Sequence, residues 1–298
     1  MRLVLTLLVR DEVDVVAAMI EHHLAAGVDF IVATDNGSQD GTVEVLADYE
    51  NAGVLQLLHE PEQNYAQAQW VTRMARLAAA EHGADWVINA DADEFWWPRD
   101  GTSLTNALAV LPARYGTVPA PRENLVADPH RSGAWPNRLV VRDLLSLHQR
   151  GGRIGNKVAH RADPDIEVRQ GNHELRGARL GETWPAQPIT VLHVPDRSYE
   201  QFAHKIEIGG RSLAANPDLT STFGWHWRAD HDRLLDGTLE RAWRTRQLTA
   251  DSLLDGLQRG RLVPDERIAR RLEELRDTAL RPEQLAAVLD GSSVRRAD

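Results

Sequence analysis

Residues Trp86-Val87-Ile88-Asn89-Ala90-Asp91-Ala92-Asp93-Glu94-Phe95 join an apolar run to three carboxylates. The run reads as a buried strand, and its carboxyl end is where open α/β sheets bind ligands. Asp91 and Asp93 stand two apart, so they share a face on a continuing strand, while a loop starting at Ala90 can aim both at one cation. Hard carboxylate oxygens suit Mg²⁺ or Mn²⁺, and a diphosphate would complete the shell. Acidic pairs often sit in solvated loops. Here the pair is flanked by Trp86, Trp96 and Trp97, and it follows two earlier strand-end acids, Glu12 and Asp35, so three strand ends outline a cleft.

The elements that position these groups alternate between strand and helix patterns, the signature of a mostly parallel sheet flanked by helices. Leu3 to Val9 reads as the first strand, and Val13, Val16, Ala17, Ile20 and Leu24 recur at helical spacing up to Gly27. Phe30 to Ala33 is the second strand, followed by a turn-rich loop in which Asp40 can cap a helix running to about Glu50. Val54 to Leu58, a helix from Tyr65 to Glu81 with Trp70, Met74 and Ala78 on one face, and a strand from Asp85 to Ala90 complete the first part. A helix over Ser103 to Leu111 and a strand over Gly116 to Ala120 come next, until Pro119, Pro121, Pro129 and Pro136 break the rhythm. Later strands are expected at Leu139 to Val141, Lys157 to His160 and Ile189 to Val194, and a helix from Ser198 to about Leu213. The expected organisation is an α/β part over 1–120, an acceptor-binding part over 121–228 and a helical C-terminal extension over 229–298.

With 298 residues and a net charge of −10, the chain can bury a large core, and it lacks the basic field that nucleic acid or anionic lipid requires. It has no cysteine, which excludes disulfides, thiolate catalysis and zinc–sulfur sites and suits a cytoplasmic setting. No apolar run approaches the length of about 18 residues expected of an integral membrane segment. The oligomeric state is not legible.

Three ordered motifs carry a family resemblance. Arg10-Asp11-Glu12, Asp35-Asn36-Gly37-Ser38-Gln39-Asp40-Gly41-Thr42 and Asp91-Ala92-Asp93 resemble the nucleotide-side motifs of family-2-like glycosyltransferases of the GT-A fold, the last being their DxD motif. Glu21-His22-His23-Leu24-Ala25-Ala26-Gly27-Val28-Asp29 is similar to a subgroup of them. The resemblance implies transfer of a sugar from a nucleoside-diphosphate sugar to a carbohydrate or other hydroxyl acceptor, with inversion and with Mn²⁺ or Mg²⁺. It implies that Asp35 bonds the base or ribose, that Arg10 and Glu12 line the same pocket, that Asp91 faces ribose or metal, and that Asp93 ligates the metal. Processive members carry a glutamine-x-x-arginine-tryptophan motif, which Glu240-Arg241-Ala242-Trp243 does not match, so a non-processive transferase is expected. The bland readings are a first-turn helix acid for Glu12 and a turn former for Asp35.

The second half supplies further candidates. A lone strand histidine is usually a satisfied core residue, but the resemblance implies a late histidine on the metal, which points to His193. His173 and Glu174 are candidate general bases, with Asp128 and Glu123 as alternatives. Lys157 and the run from Arg197 to Lys205 can set cations against phosphates, whereas Arg211 reads as a solvated helix charge. Of the tryptophan clusters at Trp96-Trp97 and Trp225-His226-Trp227, one is expected to touch a ligand.

Gly171-Asn172-His173-Glu174 also has the form of a metallophosphoesterase motif, making a metal-dependent phosphoesterase the sharpest rival. The partner motifs of that class are missing. A nucleotidyltransferase would place glycines in the first loop, where Val9-Arg10-Asp11-Glu12 has none. A binding module with a dead site is disfavoured by the intact aspartates.

Overall fold

A computed structural model describes residues 1–62, 66–215 and 224–292. The order is β1 (Leu3–Val9), α1 (Val16–Ala25), β2 (Phe30–Asp35), α2 (Thr42–Asn51), β3 (Leu55–His59), α3 (Gln67–Ala80), β4 (Trp86–Asp91), β5 (Glu94–Pro98), α4 (Leu104–Ala109), β6 (Tyr115–Ala120) and β7 (Arg122–Ala127). Then come α5 (Trp135–Arg138), β8 (Leu139–Asp143), β9 (Lys157–Arg161), β10 (Glu167–Val168), β11 (Leu175–Arg176), β12 (Glu182–Thr183), β13 (Ile189–His193) and α6 (Tyr199–Ala215). The chain closes with α7 (Trp225–Leu235), α8 (Leu239–Arg246), α9 (Ala250–Gln258), β14 (Leu262–Pro264), α10 (Arg267–Leu275) and α11 (Pro282–Asp290). The expected start of the third helix at Tyr65 lies outside the described residues.

The expected α/β class is observed. A seven-stranded sheet runs β12-β6-β9-β4-β1-β2-β3 and is parallel except at β9, while a five-stranded sheet runs β14-β8-β7-β13-β5. Alternation along the strands explains its two-sided burial. Leu3, Leu5 and Leu7 of β1, Ile31 of β2 and Trp86 and Ile88 of β4 face one core; Val4, Val32 and Val87 face another, against Val71, Met74 and Ala78 of α3. The first core is closed by Ile268 and Leu272 of α10 and by Leu285, Val288 and Leu289 of α11, so the helical C-terminal region covers the sheet that the N-terminal strands build.

The chain crosses from one sheet to the other at Pro121, between β6 and β7. Pro119 sits within β6 opposite Val158 of β9, and β12 pairs with β6 only at Tyr115 and Thr117. The missing donor of Pro119 therefore falls beyond the short edge strand, where a proline is tolerated.

Candidate functional site

Parallel pairing of β4, β1 and β2 brings their carboxyl ends side by side, with Leu8 beside Asp91 and Val9 beside Asp35. The Asp35 carboxylate is buried and accepts Gly37 N–H at 2.9 Å and Ser38 N–H at 3.2 Å, which bends the chain into the loop leading to α2. Its turn-forming role is thus observed, beside any ligand role. Asp40 takes the Thr42 amide at 3.0 Å and hydroxyl at 2.6 Å, but the capping position of α2 falls on Gly41 in the left-handed region, so Asp40 ties the turn before the helix and is not the expected cap. Asp11 adopts a positive φ of 52°, a conformation aspartate tolerates better than most residues. Its carboxylate accepts Gln39 N–H at 2.7 Å and meets His204 Nε2 at 2.9 Å. Arg10 lies beside it, Nε at 3.8 Å from Asp11 Oδ2; burial lowers the Arg10 pKa against the pull of Asp11 and Asp35.

Glu12 is not a plain helix acid. Its carboxylate is buried, bonded to Arg197 Nη2 and 3.1 Å from Lys205 Nζ. Arg197 also grips Asp14 through Nε at 2.7 Å and Nη2 at 3.0 Å. The bidentate fork suits two carboxylates in a dry place, and their charges outweigh burial to raise its pKa. Arg197 was expected among cations reaching toward phosphates; with its side chain 1% exposed, it instead ties the first loop to the segment after β13. Gln201 and His204 of α6 bond the carbonyl and carboxylate of Asp11, so Gln201, His204 and Lys205 approach that loop from one helical face.

The paired aspartates have separate surroundings. Asp91 Oδ2 accepts from Lys157 Nζ at 2.7 Å, and Oδ1 accepts from Asn172 Nδ2 at 3.3 Å. Lys157 is buried and also lies 3.1 Å from Glu94 Oε1, which Arg122 approaches at 3.3 Å. Burial raises the Glu94 carboxyl despite those two cations. Asp93 Oδ2 accepts from Lys205 Nζ at 2.8 Å, with Arg197 Nη1 at 4.0 Å, while Oδ1 faces His193 Nε2 at 3.6 Å. Burial would raise the Asp93 carboxyl, but Lys205, His193 and Arg197 hold it well below the usual carboxylate range. The chain has only two lysines among 34 lysine and arginine residues, and each meets one of the paired aspartates.

His193 ends β13 between Glu94 of β5 and Asn124 of β7 in register. Its Nδ1 lies 2.7 Å from Asn124 Oδ1, so Nδ1 carries a proton, and Nε2 is the nitrogen left facing Asp93. A metal-binding histidine commonly has its far nitrogen held in this way. Among the described residues no cluster of three or more His, Cys, Asp or Glu surrounds a common metal position. Asp93 Oδ1 and His193 Nε2 fit a cation that also takes phosphate oxygens and water, whereas Asp91 has both oxygens engaged by Lys157 and Asn172.

The candidate bases separate too. His173 Nδ1 lies 2.7 Å from the Asn156 carbonyl, which can only accept, so neutral Nε2 is the free basic nitrogen. Burial lowers its pKa. A Cβ at Gly171, whose φ is +78°, would come within 2.7 Å of the His173 ring. Glu174 is exposed. Glu123 is paired with Arg142 at 2.7 Å and Asp128 with Arg131 at 3.9 Å. Trp96 is core; Trp97 stacks on His22 and lies under Arg267 and Arg271. Trp225 has Arg150 3.8 Å above its ring, and Trp227 packs on Gly209 of α6. Arg211 pairs with Glu207 on the exposed face, as expected.

Asp14, Asn124 and Asp196 were missed. Asp14 and Asn124 become legible only through the partners that the fold brings to them, whereas the scarcity of lysine was available as a signal for Lys157 and Lys205. Burial raises the Asp196 carboxyl despite the nearby charges of His193, Arg246, Lys205 and Arg197.

Residues 6–115 match the family model Glycosyltransferase family 92. No curated protein matches the chain. Among solved structures, Staphylococcus aureus TarS residues 1–349 in complex with UDP is similar at 14% identity and TM-score 0.42, covering 99% of this chain and 89% of that one. Another structure of S. aureus TarS gives 16% identity and TM-score 0.40, covering 99% of this chain and 54% of that one. Mycobacterium tuberculosis glucosyl-3-phosphoglycerate synthase in complex with Mn²⁺, UDP and glucosyl-3-phosphoglycerate gives 18% identity and TM-score 0.29, covering 41% and 44%. The glycosyltransferase resemblance is borne out over 6–115, the stretch that carries Glu12, Asp35, Asp91 and Asp93. No helix among the described residues is long and apolar enough to cross a membrane.

Proposed function

We propose that the chain is a non-processive, inverting transferase that moves a sugar from a nucleoside-diphosphate sugar to an acceptor hydroxyl, with Mn²⁺ or Mg²⁺ at Asp93 and His193. The observation that carries this reading is the division of the Asp93 carboxylate. Its Oδ2 is fixed by Lys205 while Oδ1 faces His193 Nε2 at 3.6 Å, at the carboxyl end of β4 where a donor would bind. A bound divalent ion would neutralise the diphosphate leaving group and act as Lewis acid.

The chain's own residues then have distinct tasks. Asp35 and Arg10 border the base and ribose side. Asp91, braced by Lys157 and Asn172, faces the ribose; Lys157 acts through Asp91 and makes no phosphate contact of its own. Lys205 adds positive charge beside the diphosphate. His173 takes the acceptor proton at Nε2, which is the role its fixed Nδ1 leaves open. Glu174, being exposed, is the weaker candidate. A cytoplasmic setting belongs to the same proposal.

A panel of nucleotide sugars tested for thermal protection with and without Mn²⁺ checks the reading. The matching donor at 100 times its dissociation constant stabilises by about 2.7 kcal/mol. Protection by none of them, together with hydrolysis of a generic phosphodiester, would favour the phosphoesterase.

A further inference from the structure

We propose that Lys205 makes cation binding at Asp93 and His193 conditional on the donor's diphosphate, an inference resting on the metal-assisted reading above. The Asp93 carboxylate has neighbours of opposite kinds on its two oxygens. Oδ1 faces His193 Nε2 at 3.6 Å, and the two atoms can share a cation. Oδ2 already holds the Lys205 ammonium at 2.8 Å, with the Arg197 guanidinium at 4.0 Å.

Neither cation is free to leave. Lys205 Nζ is also 3.1 Å from Glu12 Oε1, so its departure would strip a partner from two buried carboxylates. Arg197 is fixed by Glu12 and Asp14. A divalent ion arriving alone at Oδ1 therefore becomes a third cationic centre around one carboxylate, and like charges at such separations repel strongly in a protein. A diphosphate at the same place reverses the balance, because its oxygens can neutralise both the ion and the ammonium. Each ligand then favours the other, and the coupling is reciprocal.

Lys205 is the residue placed to do this. Lys157 is 1% exposed and faces Asp91 and Glu94, and Arg197 is 1% exposed; the Lys205 side chain is 31% exposed and reaches the open side of the carboxylates. An ammonium is a compact point charge that can serve a carboxylate and a phosphate together.

Mn²⁺ binding is read from the free-ion electron paramagnetic resonance signal, for wild type and Lys205→Met, each with and without saturating UDP or GDP. In wild type the nucleotide tightens Mn²⁺ binding by about tenfold or more, within the range of ordinary site–site coupling. In Lys205→Met, Mn²⁺ alone binds tighter than in wild type and the nucleotide's enhancement shrinks. Lys205→Gln, which keeps polarity without charge, gives the same result and serves if the methionine variant does not fold; Lys205→Arg retains the wild-type pattern. Unchanged or weaker binding of Mn²⁺ alone to both neutral variants means that Lys205 only orients Asp93, and overturns the proposal while leaving the metal site standing. Absence of Mn²⁺ binding to wild type with either nucleotide overturns the metal reading and this proposal with it.

Discussion

Asp91 and Asp93 are separated by one alanine and lie in two different chemical worlds. Asp91 faces a buried lysine from β9 and an asparagine from the loop after β10; Asp93 faces a half-buried lysine on α6 and a histidine at the end of β13. The spacing of the pair suggests two equivalent ligands, and the partners supplied from later in the chain make them unequal. Lys157 braces Asp91 within the fold, while Lys205 stands at the open side of Asp93.

The sharpest break of this contrast compares the two lysines. Lys157→Met leaves Glu94 and Asp91 without their buried cation and is expected to destabilise by about 3–5 kcal/mol, the cost of breaking a buried pair from one side. Denaturant unfolding checks it; Lys205→Met, which leaves Arg197 beside Glu12 and Asp93, should cost less, and equal losses would erase the distinction. Next in size, Asp93→Asn should lower the transfer rate about 10²- to 10³-fold, as loss of a group that supports transition-state charge does. The same change at Asp91 should leave Mn²⁺ affinity intact while weakening donor binding; an equal loss of Mn²⁺ at both positions contradicts the division. Asn124→Ala, which frees the far nitrogen of His193, should weaken Mn²⁺ binding about 10- to 100-fold without altering Asp91.

The smallest effect concerns the first loop. The hydrogen bond to Asp11 raises the His204 pKa above its ordinary value. Its stabilisation is therefore complete below the unfolded-state value of about 6.5 and is lost as the pH rises through the raised folded value. Thermal melts across that window should show wild type losing stability relative to His204→Gln; parallel curves would remove His204 from the loop's support.

The first ninety residues were legible because their information is local. Leu3–Val9 emerges as a strand with the expected bounds, and Trp70, Met74 and Ala78 are buried as their spacing on the third helix required. β5 and β7 were not anticipated. Glu94–Pro98 carries two tryptophans and a proline at a sheet edge, and Arg122–Ala127 follows Pro121 with no clean alternation. Those two strands flank β13, so the neighbours of His193, Glu94 on one side and Asn124 on the other, could not be read from spacing. Arg197 shows the same limit: its residue type fits phosphate binding, and only the approach of Glu12 and Asp14 reveals a buried tie.

The division of labour between the aspartates is tested most directly by a crystal structure of the protein with Mn²⁺ and a nucleoside diphosphate, using anomalous scattering to locate the ion. The account predicts manganese within about 2.0–2.2 Å of Asp93 Oδ1 and His193 Nε2, with phosphate oxygens completing the shell and Asp91 outside it. Manganese ligated by Asp91, or a nucleotide bound in the cleft with no ion at Asp93, would contradict it.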